Sequence, residues 1–214
     1  MKHFVDLGTH KFEGLKLFTK KLNIDSTWNV YCFEPDPDTF KKAVEIYKTL
    51  KVNYNNIVFE NKAVSNHDGS TTFYCARNTR CVTGTKTSKV GWDSSQGSTL
   101  HEISKVHTHN NLITKDLIPV QIDLVDIEKL LSKICTEDST AEIYIKCDIE
   151  GEEFNVLPSL LESSHISKVR YMAVEWHERF WSSDKPLHEQ KIMERKKLEN
   201  TLKNLPNLNY ETHI

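Results

Sequence analysis

Apolar residues recur along this chain in short bursts that alternate between two periods. Residues 3–7 form an apolar run that stops at Gly8, and Phe12, Leu15, Phe18 and Leu22 then fall at helical spacing with lysines on the other face. Residues 29–33 read as a second strand, closed by Glu34-Pro35-Asp36-Pro37. Pro37 suits the first turn of a helix whose buried stripe is Phe40, Val44, Tyr47 and Leu50. Residues 57–60 read as a third strand. Alternation of this kind predicts an α/β fold, a mostly parallel sheet with helices on both faces.

The rhythm changes after Ala63. Residues 71–75 look like a strand after the turn His67-Asp68-Gly69, and 77–115 is polar, rich in Thr, Ser, Gly and His, without a period. A long loop inserted at about 76–118 is expected there, and loops of that length are usually functional or mobile. A strand or strand-turn resumes over 120–127, then a short helix over 127–134. The stretch IYIKCDIEGEEF at 143–154 begins as a strand. After it come a helix interrupted by Pro158, a strand over 169–176 and a helix over about 187–205 with Ile192, Leu198, Leu202 and Leu205 on one side. A short segment, 208–214, closes the chain. No repeat and no second domain is visible, so 1–214 reads as a single domain. The first strand begins almost at residue 1, which fits either a minimal enzyme or a domain of a longer chain.

Composition narrows the function. With 28 basic and 30 acidic side chains the net charge is −2, which argues against binding nucleic acid through bulk electrostatics. No apolar run approaches the ~20 residues that span a bilayer, and the N-terminus lacks the apolar stretch of a secretory signal. The five cysteines are odd in number and form no CxxC pair, so reduced core thiols are expected. A cytoplasmic protein without a membrane or nucleic-acid partner is the expectation.

In open parallel sheets, ligands bind beyond the carboxyl ends of the strands, where strand order reverses. The first strand ends in Asp6-Leu7-Gly8 and the second in Phe33-Glu34-Pro35. An acid at the second position can accept hydrogen bonds from both ribose hydroxyls, and Gly8 lets backbone approach a ligand. A dinucleotide needs GxGxxG to bring amides to its pyrophosphate, and the loop here, GTHKFEG over 8–14, fails that spacing. S-adenosylmethionine has no phosphate, and its sulfonium, amine and carboxylate suit a loop offering Asp6, Thr9 and His10. A bare D-x-G describes a plain strand end equally well; Glu34 in register favours the cofactor.

Five stretches carry a resemblance to the FkbM family of S-adenosylmethionine-dependent O-methyltransferases: FVDLG at 4–8, VYCFEPD at 30–36, NKAVS at 61–65 followed by Asp68-Gly69, VQIDLVD at 120–126, and IKCDIEGEE at 145–153. The last matches the family's K-x-D-x-E-G-x-E signature at every fixed position. The resemblance implies a class I (Rossmann-like) methyltransferase fold and activity on hydroxyls of sugars, glycans or other small metabolites. It implies that Asp6 and Gly8 lie along the methionine part of the cofactor and that Glu34, beside Pro35, clamps the ribose. Asn61 and Ala63 would border the adenine, and Asp148 would sit beside the sulfonium and the incoming hydroxyl. Two departures stand out. The family's second loop glycine is Phe12 here, and the C-terminus is too short for the usual final antiparallel pair, so a curtailed sheet is expected.

Lys146 and Asp148 leave a strand on the same face, and such a pair is costly to desolvate unless it is paired or used. Glu152 and Glu153 fit a helix start, where negative charge meets the positive end of the dipole. Methyl transfer to a hydroxyl needs alignment, exclusion of water and removal of a proton. The candidate bases are Asp148 and His177, with Lys146 beside them. Asp148, Glu175 and His177 could also hold a divalent metal. Trp176 and Trp181 read as a sugar-stacking rim or as core, and Gly97-Ser98-Thr99 resembles a stretch that family members place near the acceptor. His101, His107 and His109 read as solvated loop histidines. Two alternatives stay open: an RNA 2′-O-methyltransferase using Lys146, Asp148 and Glu175, and a non-catalytic nucleotide-binding scaffold.

Overall fold

The computed structural model describes residues 1–50, 54, 56–81, 98–101, 106–108 and 113–213. In chain order the elements are β1 (Lys2–Leu7), α1 (Glu13–Leu22), β2 (Asn29–Phe33), α2 (Pro37–Leu50), β3 (Asn56–Glu60), β4 (Lys62–Ser65) and β5 (Gly69–Cys81). There follow β6 (Val106–Thr108), β7 (Ile113–Asp126), α3 (Ile127–Glu137), β8 (Glu142–Cys147), α4 (Glu153–Glu162), β9 (Val169–Val174), α5 (Lys185–Lys203) and β10 (Asn209–Thr212).

Six strands form one parallel sheet in the order β10-β9-β8-β1-β2-β3. The central strands are buried on both faces, which is why they read as unbroken apolar runs. Alternate residues serve opposite layers: Val5, Leu7, Ile143 and Ile145 pack with Leu131 of α3, Leu157 of α4 and Leu202 of α5. Phe4, Val30 and Cys32 pack with Leu15 and Phe18 of α1 and Ala43 of α2. Side-chain caps set the helix starts. Asp36 Oδ1 accepts from the Asp38 and Thr39 amides (2.9 and 3.1 Å) ahead of α2, Asp126 caps α3, and Asp184 caps α5. The parallel sheet with helices on both faces is therefore as the patterning implies.

The differences have physical causes. Pro158 does not interrupt α4, which runs through it. Burial of Phe154, Val156, Leu157 and Leu160 outweighs the roughly 3 kcal/mol that an interior proline costs. In α2 the deepest residue is Ala43, with Val44 only half-buried. Strands reach into both ends of the expected 76–118 loop. β5 and β7 pair antiparallel, β6 joins β7 antiparallel and β4 joins it parallel, making a second sheet over the first. Residues 82–97, 102–105 and 109–112 lie outside the described residues. β10 runs parallel to β9, so no final antiparallel pair occurs among the described residues. No helix among the described residues is long and apolar enough to cross a membrane.

The topology places the site. Succession runs outward from β1 through β2 to β3, and in the other direction from β8 through β9 to β10. The adjacent pair β1 and β8 is thus the switch point, and the turns after β1, β2, β8 and β9 meet over the carboxyl edge.

Candidate active site

A cavity of about 360 Å³ opens at that edge. Its floor is the Gly8-Thr9-His10 turn, Glu34-Pro35 and Asp148, and one wall is apolar, made by Ala63, Val64, Phe73 and Leu100 from the second sheet and its neighbourhood. Its rim carries Glu150, Glu175, Arg179 and Phe180.

The turn after β1 has no freedom. Gly8 has φ +77°, and a Cβ there would lie 1.8 Å from the Asp148 carbonyl oxygen, so only glycine fits. The Thr9 amide donates to the Phe33 carbonyl (2.9 Å), which pins the turn to the neighbouring strand end. The His10 amide donates to Glu34 Oε2 (2.8 Å). Phe12, where the resemblance implies a glycine, sits at φ 65° in the left-handed region, fully buried, its ring 4.7 Å from that of Phe59. Ring burial here outweighs backbone strain of roughly 1–2 kcal/mol. Phe12→Ala should destabilise the protein by about 3–5 kcal/mol in urea unfolding. Phe12→Gly should be milder by roughly 1 kcal/mol, because glycine escapes the left-handed penalty; alanine being the gentler change would contradict this.

Asp6 and Lys146 are register partners on β1 and β8 and face the α1 layer together. Lys146, 3% exposed, donates to the Gly8 carbonyl (2.6 Å) and lies 3.1 Å from Asp148 Oδ2 and 3.3 Å from Asp6 Oδ1. Burial would lower its pKa, but Asp148 and Asp6 outweigh that and raise it above an ordinary lysine. Lys146 is therefore a fixed cation and not a proton acceptor. Asp6, fully buried, takes the Thr9 hydroxyl (2.5 Å) and does not border the cavity. Strand parity turns it toward α1, where it holds Thr9 and Lys146 one layer behind the cavity. Burial would raise the Asp148 carboxyl, but Lys146 and His177 outweigh it and keep it below the usual carboxylate value.

The turn from 148 to 153 explains the run of acids. Glu150 and Gly151 both have positive φ (54° and 105°), which folds the chain sharply back. Glu153, fully buried, then accepts the Ile149 and Gly151 amides (2.9 and 3.0 Å) and bonds His177 Nδ1 (2.9 Å). Glu152 takes the Ser65 hydroxyl (2.6 Å) and the Asn155 amide (3.1 Å). Both stand at the start of α4, as the sequence implies, and both are buried there. His177 is also not solvated: it is 1% exposed. Burial would lower its pKa, yet Glu153, Glu150 and Asp148 raise it to about 10.

Glu34 is held by backbone amides of His10 and Asp36 (2.8 and 2.9 Å). Burial nonetheless pushes its carboxyl from 4.5 up to about 7. Since its pKa is raised on folding, ionised Glu34 weakens the native state above pH 4.5, in full above about 7. A ligand whose hydroxyls donate to the carboxylate favours the ionised form. Affinity for an adenosine ligand should therefore rise about tenfold between pH 6 and 8 in calorimetry. Glu34→Gln should flatten that profile and weaken binding, yet raise the melting temperature at pH 8. An unchanged profile in the variant would rule out Glu34 as the ribose clamp.

Other expected residues fall as follows. Ala63 lines the cavity, but Asn61 does not; its amide donates to the Glu34 and Pro35 carbonyls (2.7 and 3.0 Å) and shapes the turn from outside. Ser98 lines the cavity, and the Thr99 hydroxyl donates to the Glu150 carbonyl (2.6 Å), while Gly97 lies outside the described residues. His101 is half-buried against Trp181 (ring centroids 5.0 Å) rather than solvated, while the His107 side chain and His109 lie outside what is described. Trp176 is core, packed on Phe154. Asp148, Glu175 and His177 do come together, with one ligand atom from each within 4.8 Å of the others. Sequence reasoning found Ala63 of the apolar wall but missed Val64, Phe73 and Leu100, which only non-local strand pairing brings to this edge, and also Arg179 and Phe180.

The family described as the methyltransferase FkbM domain matches residues 6–210. Among solved structures, the chain is similar to the crystal structure of methyltransferase FkbM from Methylobacillus flagellatus KT, with 13% identity and a TM-score of 0.43 over 92% of this chain. It spans only 37% of that protein. No curated protein matches.

Proposed function

The chain belongs to the FkbM methyltransferase family, and we propose that it moves the methyl group of S-adenosylmethionine to a hydroxyl of a small polar acceptor, a sugar or glycan. The observation that carries this reading is the convergence of the Gly8 turn, Glu34 and Asp148 on one cavity at the switch point of the sheet. The residues fit the cofactor. Glu34, its two oxygens oriented by the His10 and Asp36 backbone amides, suits the ribose diol, and the apolar wall of Ala63, Phe73 and Leu100 suits an adenine ring.

Bound S-adenosylmethionine supplies an electrophilic methyl carbon. The chain's own residues do the rest. Asp148, held ionised beside Lys146, accepts the acceptor's hydroxyl hydrogen and orients that oxygen. Positioning of this kind supplies up to about 7–11 kcal/mol of the barrier. Phe180 and Arg179 at the rim offer a flat apolar face and a charge to the acceptor. Lys146 and Asp6 act one layer down as positioning residues. The free thiols Cys32, Cys75 and Cys147, all buried, support a reducing, cytoplasmic setting.

The test is transfer of labelled methyl from S-adenosylmethionine to a panel of methyl glycosides and nucleosides. Label in an alkali-stable ether on a glycoside supports the reading. Label on amines alone, or on no acceptor while the cofactor binds, rejects the hydroxyl assignment.

A further inference from the structure

We propose that Asp148, Glu175 and His177 form a divalent-cation site at the acceptor end of the cavity. The His177 ring is fixed by its 2.9 Å bond through Nδ1 to the buried Glu153 carboxylate, itself pinned by two backbone amides. A carboxylate behind one ring nitrogen is the support that orients a metal-ligating histidine. The other nitrogen, Nε2, points into a crowd of acids: Glu150 Oε2 at 3.3 Å, Glu175 Oε1 at 3.6 Å and Asp148 Oδ1 at 3.7 Å. None is as close as the bond on the opposite side of the ring.

Charge makes the same point. Asp148, Glu150, Glu153 and Glu175 surround one imidazole, and the cations nearby are the buried Lys146, shared with Asp6, and the half-exposed Arg179, 3.7 Å from Glu175 Oε1. A positive occupant between Nε2 and the two cavity-lining carboxylates relieves the repulsion among them. Ligand atoms around a six-coordinate cation lie about 3 Å apart along an edge. Bringing the Asp148 and Glu175 oxygens, now 3.7 and 3.6 Å from Nε2 and within 4.8 Å of one another, onto a shared cation takes side-chain rotation, which is within the reach of two residues each about a quarter exposed. Two carboxylates with one imidazole suit Mn²⁺ or Mg²⁺, with Mn²⁺ favoured by the nitrogen ligand. Asp148 and Glu175 line the cavity, so the remaining coordination positions face the acceptor. There a cation would hold the acceptor by oxygen and make its hydroxyl more acidic; that role, unlike the site itself, rests on the transfer reading above.

The experiment is an Mn²⁺ titration of the whole chain, with free Mn²⁺ followed by electron paramagnetic resonance and no cofactor present. One Mn²⁺ per chain is expected, with affinity reduced at least tenfold in Glu175→Gln. Glu175 is partly exposed, so this variant should fold; His177→Gln, checked by circular dichroism, should bind still less. No binding at millimolar Mn²⁺, or wild-type affinity in Glu175→Gln, overturns the site. Because S-adenosylmethionine is left out, that failure would leave the methyl-transfer reading to its own assay.

Discussion

Asp148→Asn is expected to slow methyl transfer by about 10²–10⁴-fold, the range for loss of a positioned proton acceptor. Asparagine keeps the size of the side chain and an oxygen for Lys146, which also retains Asp6 and the Gly8 carbonyl. Cofactor affinity should change little and the melting temperature should fall by only a few degrees. Labelled-methyl turnover alongside thermal unfolding checks both. Turnover within threefold of wild type would remove Asp148 from the chemistry.

Lys146→Met should act in the opposite way, chiefly on stability. It leaves Asp6, fully buried, without its counter-charge, and breaking such a pair costs about 3–5 kcal/mol. For a domain of this size that lowers the melting temperature by roughly 10 °C. It also frees the Gly8 carbonyl and loosens the turn that meets the ligand. Lys146→Met combined with Asp6→Asn should recover most of the lost stability, since the second change removes the orphaned charge. A single variant as stable as wild type would show that the buried pair is not what holds β1 and β8 together at this edge.

How much of this was legible in the sequence depends on how local each signal is. β1, β2 and α1 declare themselves because their apolar periods end at turn residues within a few positions, and β2 falls on the residues read for it. β4 was missed because four residues, KAVS, carry too little period to separate from a loop. β5 and β7 were read too short because their far ends hold together through cross-strand pairing, such as Arg77 with Asp116, which no local pattern reports. The site shows the same division. Gly8, Glu34 and Asp148 sit at strand ends and could be read from the order of elements. Asp6 could not, because its neighbour across the sheet, Lys146, lies 140 positions away. Glu153 does open α4, as read, but its burial was not legible, because the two positive-φ residues ahead of it, Glu150 and Gly151, turn it inward. The glycine in E-G-E-E was the available hint of such a turn.

The family match also changes the weight of Phe12. A glycine would satisfy the left-handed backbone with no strain; phenylalanine satisfies it by filling the layer between α1 and β3. The loop keeps its shape by packing instead of by backbone freedom.

Calorimetric titration with S-adenosylmethionine and its demethylated product, in wild type and in Glu34→Gln, tests the central claim most directly. One site per chain that binds both ligands, and binds them more weakly in the variant, is the result this structure leads us to expect. Heat indistinguishable from dilution at millimolar ligand in the wild-type protein would contradict it.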